Sequence, residues 1–229
     1  MRLVIFDVDG TLVDSQTIIT AALGAVLTGL GRSSPERAFL LGGVGLSLVP
    51  AMRRLLGEGT AQEEVEAAAE AYRKEFFRLR TDPANAEPMF PGAVEVIEAL
   101  RAQEDVILGI ATGKSQRGVA HILERQGWQG YFATVQTADD APSKPNPAMV
   151  LQAARAVGVD PADAVMIGDT TFDILMARAA GSASIGVSWG NHPVEALRGA
   201  GAGHIIDHFD ELVPWLAGAK LAHTREGVA

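Results

Sequence analysis

Leu3-Val4-Ile5-Phe6-Asp7-Val8-Asp9-Gly10-Thr11-Leu12-Val13-Asp14 is an apolar run that stops at an acidic turn. A short, uninterrupted apolar run suits a strand covered on both faces of a parallel sheet. The pattern recurs along the chain. Residues 106–111 (VILGIA) end at Thr112-Gly113, 164–167 (AVMI) end at Gly168-Asp169, and 184–188 (SIGVS) end at Trp189-Gly190. Weaker strands are predicted at 132–136 and 204–206. Helical patterns fill the gaps at 92–102, 115–126, 147–157, 173–180 and 193–199. Strand alternating with helix specifies an α/β fold, a doubly wound, Rossmann-like parallel sheet with its chemistry at the carboxyl ends of the strands.

One connection is too long. Between Val8 and Val106 lie 97 residues, whereas a parallel crossover needs only about a dozen or more. The excess reads as helices at 17–27, 46–56 and 62–80, followed by Asp82-Pro83, Pro88 and Pro91 as a return linker. The predicted organisation is an α/β core formed by 1–14 and 89–229, with an α-helical cap subdomain inserted at 15–88. The segment after Leu216 is small and polar and is expected to fray.

The sequence has 229 residues, with 19 basic and 28 acidic side chains and a formal charge of −9. That balance argues against a general nucleic-acid binder, which needs a basic footprint. An anionic substrate must therefore meet a local cluster of cations, amides or metal. There are no cysteines, so disulfides, thiolate nucleophiles and cysteine zinc sites are excluded. No apolar stretch is long enough to span a bilayer, and the run at 3–6 is too short for a signal-peptide core. A cytoplasmic protein with no membrane partner is expected.

Asp7 and Asp9 stand at i and i+2, so on an extended strand they point the same way. Two carboxylates at the tip of an apolar strand are costly unless used. The competing reading is an Asp-Gly turn with a helix cap. Capping is the preferred reading for Asp14 and Ser15. A second acidic strand end, Gly168-Asp169-Thr170-Thr171-Phe172-Asp173, brings Asp169 and Asp173 near the first if the strands are neighbours. One of these two is also expected to cap a helix. Hard oxygen ligands without His or Cys suit Mg²⁺. Thr112 and Gly113 precede a helix and offer a hydroxyl and amides to an anion, as an ordinary strand-to-helix turn also does. Thr112-Gly113-Lys114-Ser115 mimics the end of a nucleotide P-loop, but the glycine required at position 108 is Leu108, so that reading fails. Lys144, between Pro142 and Pro145, is either a solvated loop lysine or an ammonium aimed at a phosphoryl group. His121, His192, His204, His208 and His223 lack metal or triad spacing and read as surface or structural. The acidic stretch Glu63-Glu64, with Glu66 and Glu70, reads as a solvated helix face.

The ordered set Asp7-x-Asp9-Gly10-Thr11, Thr112, Lys144 before Pro145, and Gly168-Asp169-x-x-x-Asp173 resembles the haloacid dehalogenase superfamily. The closest resemblance is to its phosphoglycolate phosphatase-like branch, with a helical cap after the first motif, and it covers about 3–216. The resemblance implies a Mg²⁺-dependent phosphatase acting on a small phosphorylated metabolite. It implies Asp7 as nucleophile and Asp9 as general acid and base. It implies Thr112, Gly113 and Lys144 around the phosphate. Asp169, Asp7 and the Asp9 carbonyl are implied as metal ligands, with Asp173 as a supporting acid. The insertion then acts as a mobile cap. Two features bear on the substrate. Gly42-Gly43-Val44-Gly45 either presents amides or simply turns between helices, and Phe39-Leu40-Leu41 stands where such caps are expected to carry an arginine. Arg37, Arg53 and Arg54 are cap cations that could meet a carboxylate. Within the superfamily, Asp9 counts against a dehalogenase, and the insertion offers only Lys74 for a phosphonate hydrolase. A sugar phosphomutase shares Asp7 and Asp9, although Thr11 fits phosphatases better. Outside it, a phosphoacceptor receiver module uses an aspartyl phosphate on a similar sheet, but would be smaller.

Overall fold

The computed structural model describes residues 1–33 and 35–218. Six parallel strands form the sheet: β1 (Arg2–Phe6), β2 (Val106–Ala111), β3 (Thr134–Gln136), β4 (Ala164–Gly168), β5 (Ala183–Val187) and β6 (His204–Ile206). Their spatial order is β3-β2-β1-β4-β5-β6. The chain winds outward from β1 to one edge, then crosses to β4 and winds to the other. β1 is therefore central, at the point where the strand order reverses and ligands of such sheets bind. In register, Phe6 faces Ile110 on one side and Ile167 on the other, so the tips of β1, β2 and β4 are level.

The connections include helices α1 (Gln16–Gly29), α2 (Arg37–Leu41), α3 (Leu48–Leu56), α4 (Gln62–Leu79), α5 (Ala93–Arg101), α6 (Gln116–Gln126), α7 (Ala148–Val157), α8 (Thr171–Ala180), α9 (Val194–Ala200) and α10 (Leu212–Gly218). Alternation along β1 decides the layering. Val4 and Phe6 pack with residues of α5, α6 and α10 on one face. Leu3 and Ile5 pack with Met149, Ala153 and Met176 of α7 and α8 on the other. A third apolar cluster, including Leu23, Leu27, Met52, Leu56 and Val65, lies within the long β1–β2 connection, where α1, α3 and α4 pack together. The two ends of that insertion run side by side. Asp14 N donates to Pro88 O (2.8 Å), Phe90 N donates to Leu12 O (2.9 Å), and Val13 bridges Met89.

The expected strands and long helices are all present, with ends shifted by up to two residues. The short α2 and α10 were not expected. Ser15 holds the cap position of α1 but makes no side-chain capping bond, and the neighbouring Asp14 instead accepts from Gln16 N (3.3 Å). Of the segment after Leu216, Ala217 and Gly218 complete α10, and 219–229 lie outside the described residues. Among the described residues, no helix is long and apolar enough to cross a membrane.

Candidate active site

The tip of β1 turns through Gly10, whose φ of +88° favours glycine. A Cβ there would also come within 2.2 Å of Asp169 Oδ2 and Asn191 Nδ2. This turn holds Asp7 fully buried at the strand end, between the tips of β2 and β4. The Asp7 amide donates to Ile167 O at 2.9 Å. Lys144, from the loop before α7, has no exposed surface on its side chain and reaches both Asp173 Oδ1 (2.6 Å) and Asp7 Oδ1 (3.0 Å). The solvated-loop alternative for Lys144 is thereby removed. Neither Asp7 oxygen has an aligned hydrogen-bond donor; the ammonium beside it acts through its charge.

Asp169 and Asp173 take different roles after β4. Asp169 accepts from Thr11 Oγ1 (3.0 Å), Asn191 N (2.7 Å) and Asn191 Nδ2 (2.8 Å). Asp173 is the helix-capping carboxylate of the pair. Its Oδ2 accepts from Thr170 N (3.0 Å) and Thr170 Oγ1 (2.7 Å), while Oδ1 meets Lys144. Asp7, Asp169 and Asp173 each offer an oxygen, all within 4.8 Å of one another. Three buried carboxylates against one ammonium leave excess negative charge. Burial, strengthened by the neighbouring carboxylates, pushes Asp7 up to about 6 despite Lys144, and Asp169 up to about 8. For Lys144 burial acts downward, but the carboxylates of Asp173 and Asp7 outweigh it and hold the ammonium above its usual range. An all-oxygen donor set within 4.8 Å and excess negative charge together fit a hard divalent cation.

Thr112 is buried beside Asp7, and its Oγ1 accepts from Lys114 N at 3.2 Å. Gly113 lies under the cap turn: a Cβ there would meet Leu46 O at 2.5 Å and Gly45 O at 2.6 Å. The glycine-rich stretch is thus a turn between α2 and α3 that touches the core at the site. Of the arginines singled out in the insertion, Arg37 bonds to Gln16 and Thr20, and Arg53 to Thr60 and Gln62. Arg54 lines the site cavity, as do Arg73 and Arg80, which the sequence reading did not single out. Lys74 pairs with Glu70 on an exposed face of α4.

The sequence reading missed Lys114 as a site residue. Its Nζ lies 2.7 and 3.0 Å from the two Asp9 oxygens and 3.5 Å from Glu87 Oε1, with Phe76 of α4 packed beside it. Glu87, in the return segment, is buried and paired with Arg80 at 2.7 Å. A charged chain therefore runs from Asp9 through Lys114 and Glu87 to the end of α4. The available signal was Lys114 two residues past a strand-end threonine, with Gly118 one helical turn on. His192, read as surface or structural, lies half-buried beside the start of α8. Its Nδ1 accepts from Thr171 N at 3.1 Å, and burial depresses its basicity, opposed by the Gly42 carbonyl.

The site opens into a cavity of about 490 Å³ between the helical insertion and the tips of β1 and β2, with Asp7, Asp9, Thr112 and Lys114 in its wall. The sequence model of haloacid dehalogenase-like hydrolases matches residues 4–187. "Probable phosphatase IndB" of Dickeya dadantii is 39% identical over 212 residues, covering 92% of this chain and 91% of that protein. Phosphoglycolate phosphatase 1 of Pseudomonas aeruginosa is 31% identical, covering 93% of this chain and 79% of its own. Among solved structures, a hydrolase from Pseudomonas syringae superposes with a TM-score of 0.83 at 27% identity, covering 95% and 98% of the two chains.

Proposed function

Because the chain belongs to the haloacid dehalogenase-like hydrolases and is a phosphatase, we propose that it hydrolyses a small phosphorylated metabolite by way of a phosphoryl group carried on Asp7. The observation that carries this reading is Asp7 itself. It is a buried carboxylate at a central strand tip, with both oxygens free of aligned donors, beside a buried lysine and facing a cavity. In this reading an Asp7 oxygen attacks phosphorus, and the bond to the leaving alcohol breaks as Asp9 protonates that oxygen. Asp9 then takes a proton from the water that attacks the Asp7 phosphoanhydride, releasing phosphate and restoring the carboxylate. Lys144, Thr112 and the Gly113 amide hold phosphoryl oxygens. Lys114 orients the Asp9 carboxylate.

Asp7, Asp169 and the Asp9 carbonyl would hold Mg²⁺, with Asp173 supporting through Lys144. Bound there, the cation supplies positive charge against the phosphoryl oxygens and offsets the buried carboxylates. Residues 15–88 are read as the cap and 1–14 with 89–229 as the core. The isolated β-bridge between Val13 and Met89 and the insertion's own apolar cluster support that division. A cytoplasmic location and a partner limited to the small substrate complete the proposal. The test is phosphate release from a panel of phosphomonoesters, with and without Mg²⁺, together with rapid quench and peptide mass measurement. The expected result is Mg²⁺-dependent release and a transient phosphoryl adduct on the Asp7 peptide. An adduct on another residue, or full activity after chelation, would remove the assignment.

A further inference from the structure

Resting on the phosphatase reading above, we infer that the substrate's alcohol half is a bulky apolar body with an aromatic ring, not a short carboxylate-bearing alcohol such as glycolate. The cavity that contains Asp7 and Asp9 has about 490 Å³, within the range of sites for drug-sized ligands rather than two-carbon ones. Its wall is mostly hydrocarbon. Phe39, Tyr72, Phe76 and Phe77 line it from α2 and α4, and Val44 and Met52 are among its aliphatic lining. Tyr72 and Phe76 form a tilted ring pair at 5.6 Å. Phe39 and Phe77 are 47% and 57% exposed, and neither belongs to the insertion's apolar cluster. Two half-exposed phenyl rings in a cavity wall, outside the insertion's packed cluster, are placed to cover a ligand.

Charge argues the same way. Of the cations in the wall, Lys114 is held by Asp9, Arg80 by Glu87 and Arg73 by Glu70, so a carboxylate set against the aromatic part of the wall loses hydration for little return. Arg117 stacks over Phe77 at 4.9 Å, and both Arg117 and Arg54 are exposed, so their charges stay in water. An apolar body displaces poorly held water from the walls and gains roughly 1.5–3 kcal/mol for one large side-chain equivalent, which is about 10- to 100-fold in affinity.

The test compares phosphoglycolate, ethyl phosphate and 3-phenylpropyl phosphate, all esters of primary alcohols, with Mg²⁺ present and Asp7→Asn as the control for contaminating phosphatase. The expected order of kcat/KM places 3-phenylpropyl phosphate about 10- to 100-fold above both others. In Phe39→Ala and Phe77→Ala the ratio of phenylpropyl to ethyl ester should fall about 3-fold or more. Both side chains are half-exposed, so folding should survive. Equal kcat/KM across the series, a preference for phosphoglycolate, or an unchanged ratio in both variants overturns this inference while the phosphatase reading stands. No phosphate release from any ester overturns that reading, and this inference with it.

Discussion

Asp7 is kept buried at the expense of stability. Its carboxyl is raised to about 6 because burial outweighs the attraction of Lys144. Asp7→Asn removes that buried charge while keeping the shape. In protein stripped of metal at pH 8, the variant should therefore melt higher, by about 2–8 °C for roughly 1–2 kcal/mol, while phosphate release disappears. Calorimetry and phosphate assay on one preparation check both halves. In the proposed mechanism Asp9 is the proton donor, so its loss should depend on the leaving group. Asp9→Asn should slow formation of the phosphoenzyme by about 10²–10⁴-fold for an alkyl ester and far less for p-nitrophenyl phosphate, since a nitrophenolate leaves without a proton. Rapid-mix kinetics with both esters would show equal losses if Asp9 merely organised the site. Lys114→Met frees the Asp9 carboxylate that the ammonium holds at 2.7 and 3.0 Å. A misplacement of that kind should lower kcat by about 10- to 100-fold, and an unchanged kcat would remove Lys114 from the site.

At the scale of elements, α6 was legible and its use was not. Ser115 caps it, with Gly118 N donating to Ser115 Oγ at 3.3 Å. That capping follows from residue type and spacing. Gly118 has a reason that spacing does not give: a Cβ there would press on Lys114 Cγ at 2.7 Å. Gly118→Ala should raise intrinsic helix propensity by about 1 kcal/mol yet lower phosphatase activity, because the flexible lysine yields first. Activity equal to wild type in that variant would mean that Lys114 does not need its present course. The return segment makes a comparable point. Glu87 carries no motif, yet its buried carboxylate pairs with Arg80 at 2.7 Å and approaches Lys114 at 3.5 Å. Removing one partner of a buried pair costs about 3–5 kcal/mol at most, less here because Arg80 is partly exposed. Glu87→Ala should lower the melting temperature by about 5–10 °C. The short α2 escaped prediction because five residues, RAFLL, are too few to establish a helical period.

For the whole molecule, the buried acidic cluster couples stability to pH and cation. In the unfolded chain Asp7 and Asp169 titrate near 3.8; folded, they titrate at about 6 and about 8. Over the interval between, the metal-free native state retains protons that the unfolded state has released. Stability from these groups therefore falls as pH rises from about 4 to 8. A divalent cation requires the ionised forms, so it should restore stability where they are present. Saturating Mg²⁺, at about 100 times its Kd, should raise the melting temperature by about 5–10 °C at pH 8 and by less than about 2 °C at pH 5. Equal gains at both pH values would place the cation elsewhere.

The sequence by itself determined the sheet, its strand ends and the length of the insertion. Apolar period, turn chemistry and connection length are local properties, and each was written in consecutive residues from Leu3 to Ile206. It also named Asp7, Asp9, Asp169 and Asp173 as candidates, because carboxylates at apolar strand ends are costly anywhere but in a site, and Thr112, Gly113 and Lys144 through the family resemblance. Only the tertiary structure decided which of them meet. The order β2-β1-β4 sets three tips level and puts Lys144 between Asp7 and Asp173. It alone tied Asp9 to Lys114 and Glu87, residues 105 positions apart in the first case, and built the apolar cavity from α2 and α4 against the core. Contacts at such separations depend on how the faces of different elements pack, and no periodicity along the chain encodes them.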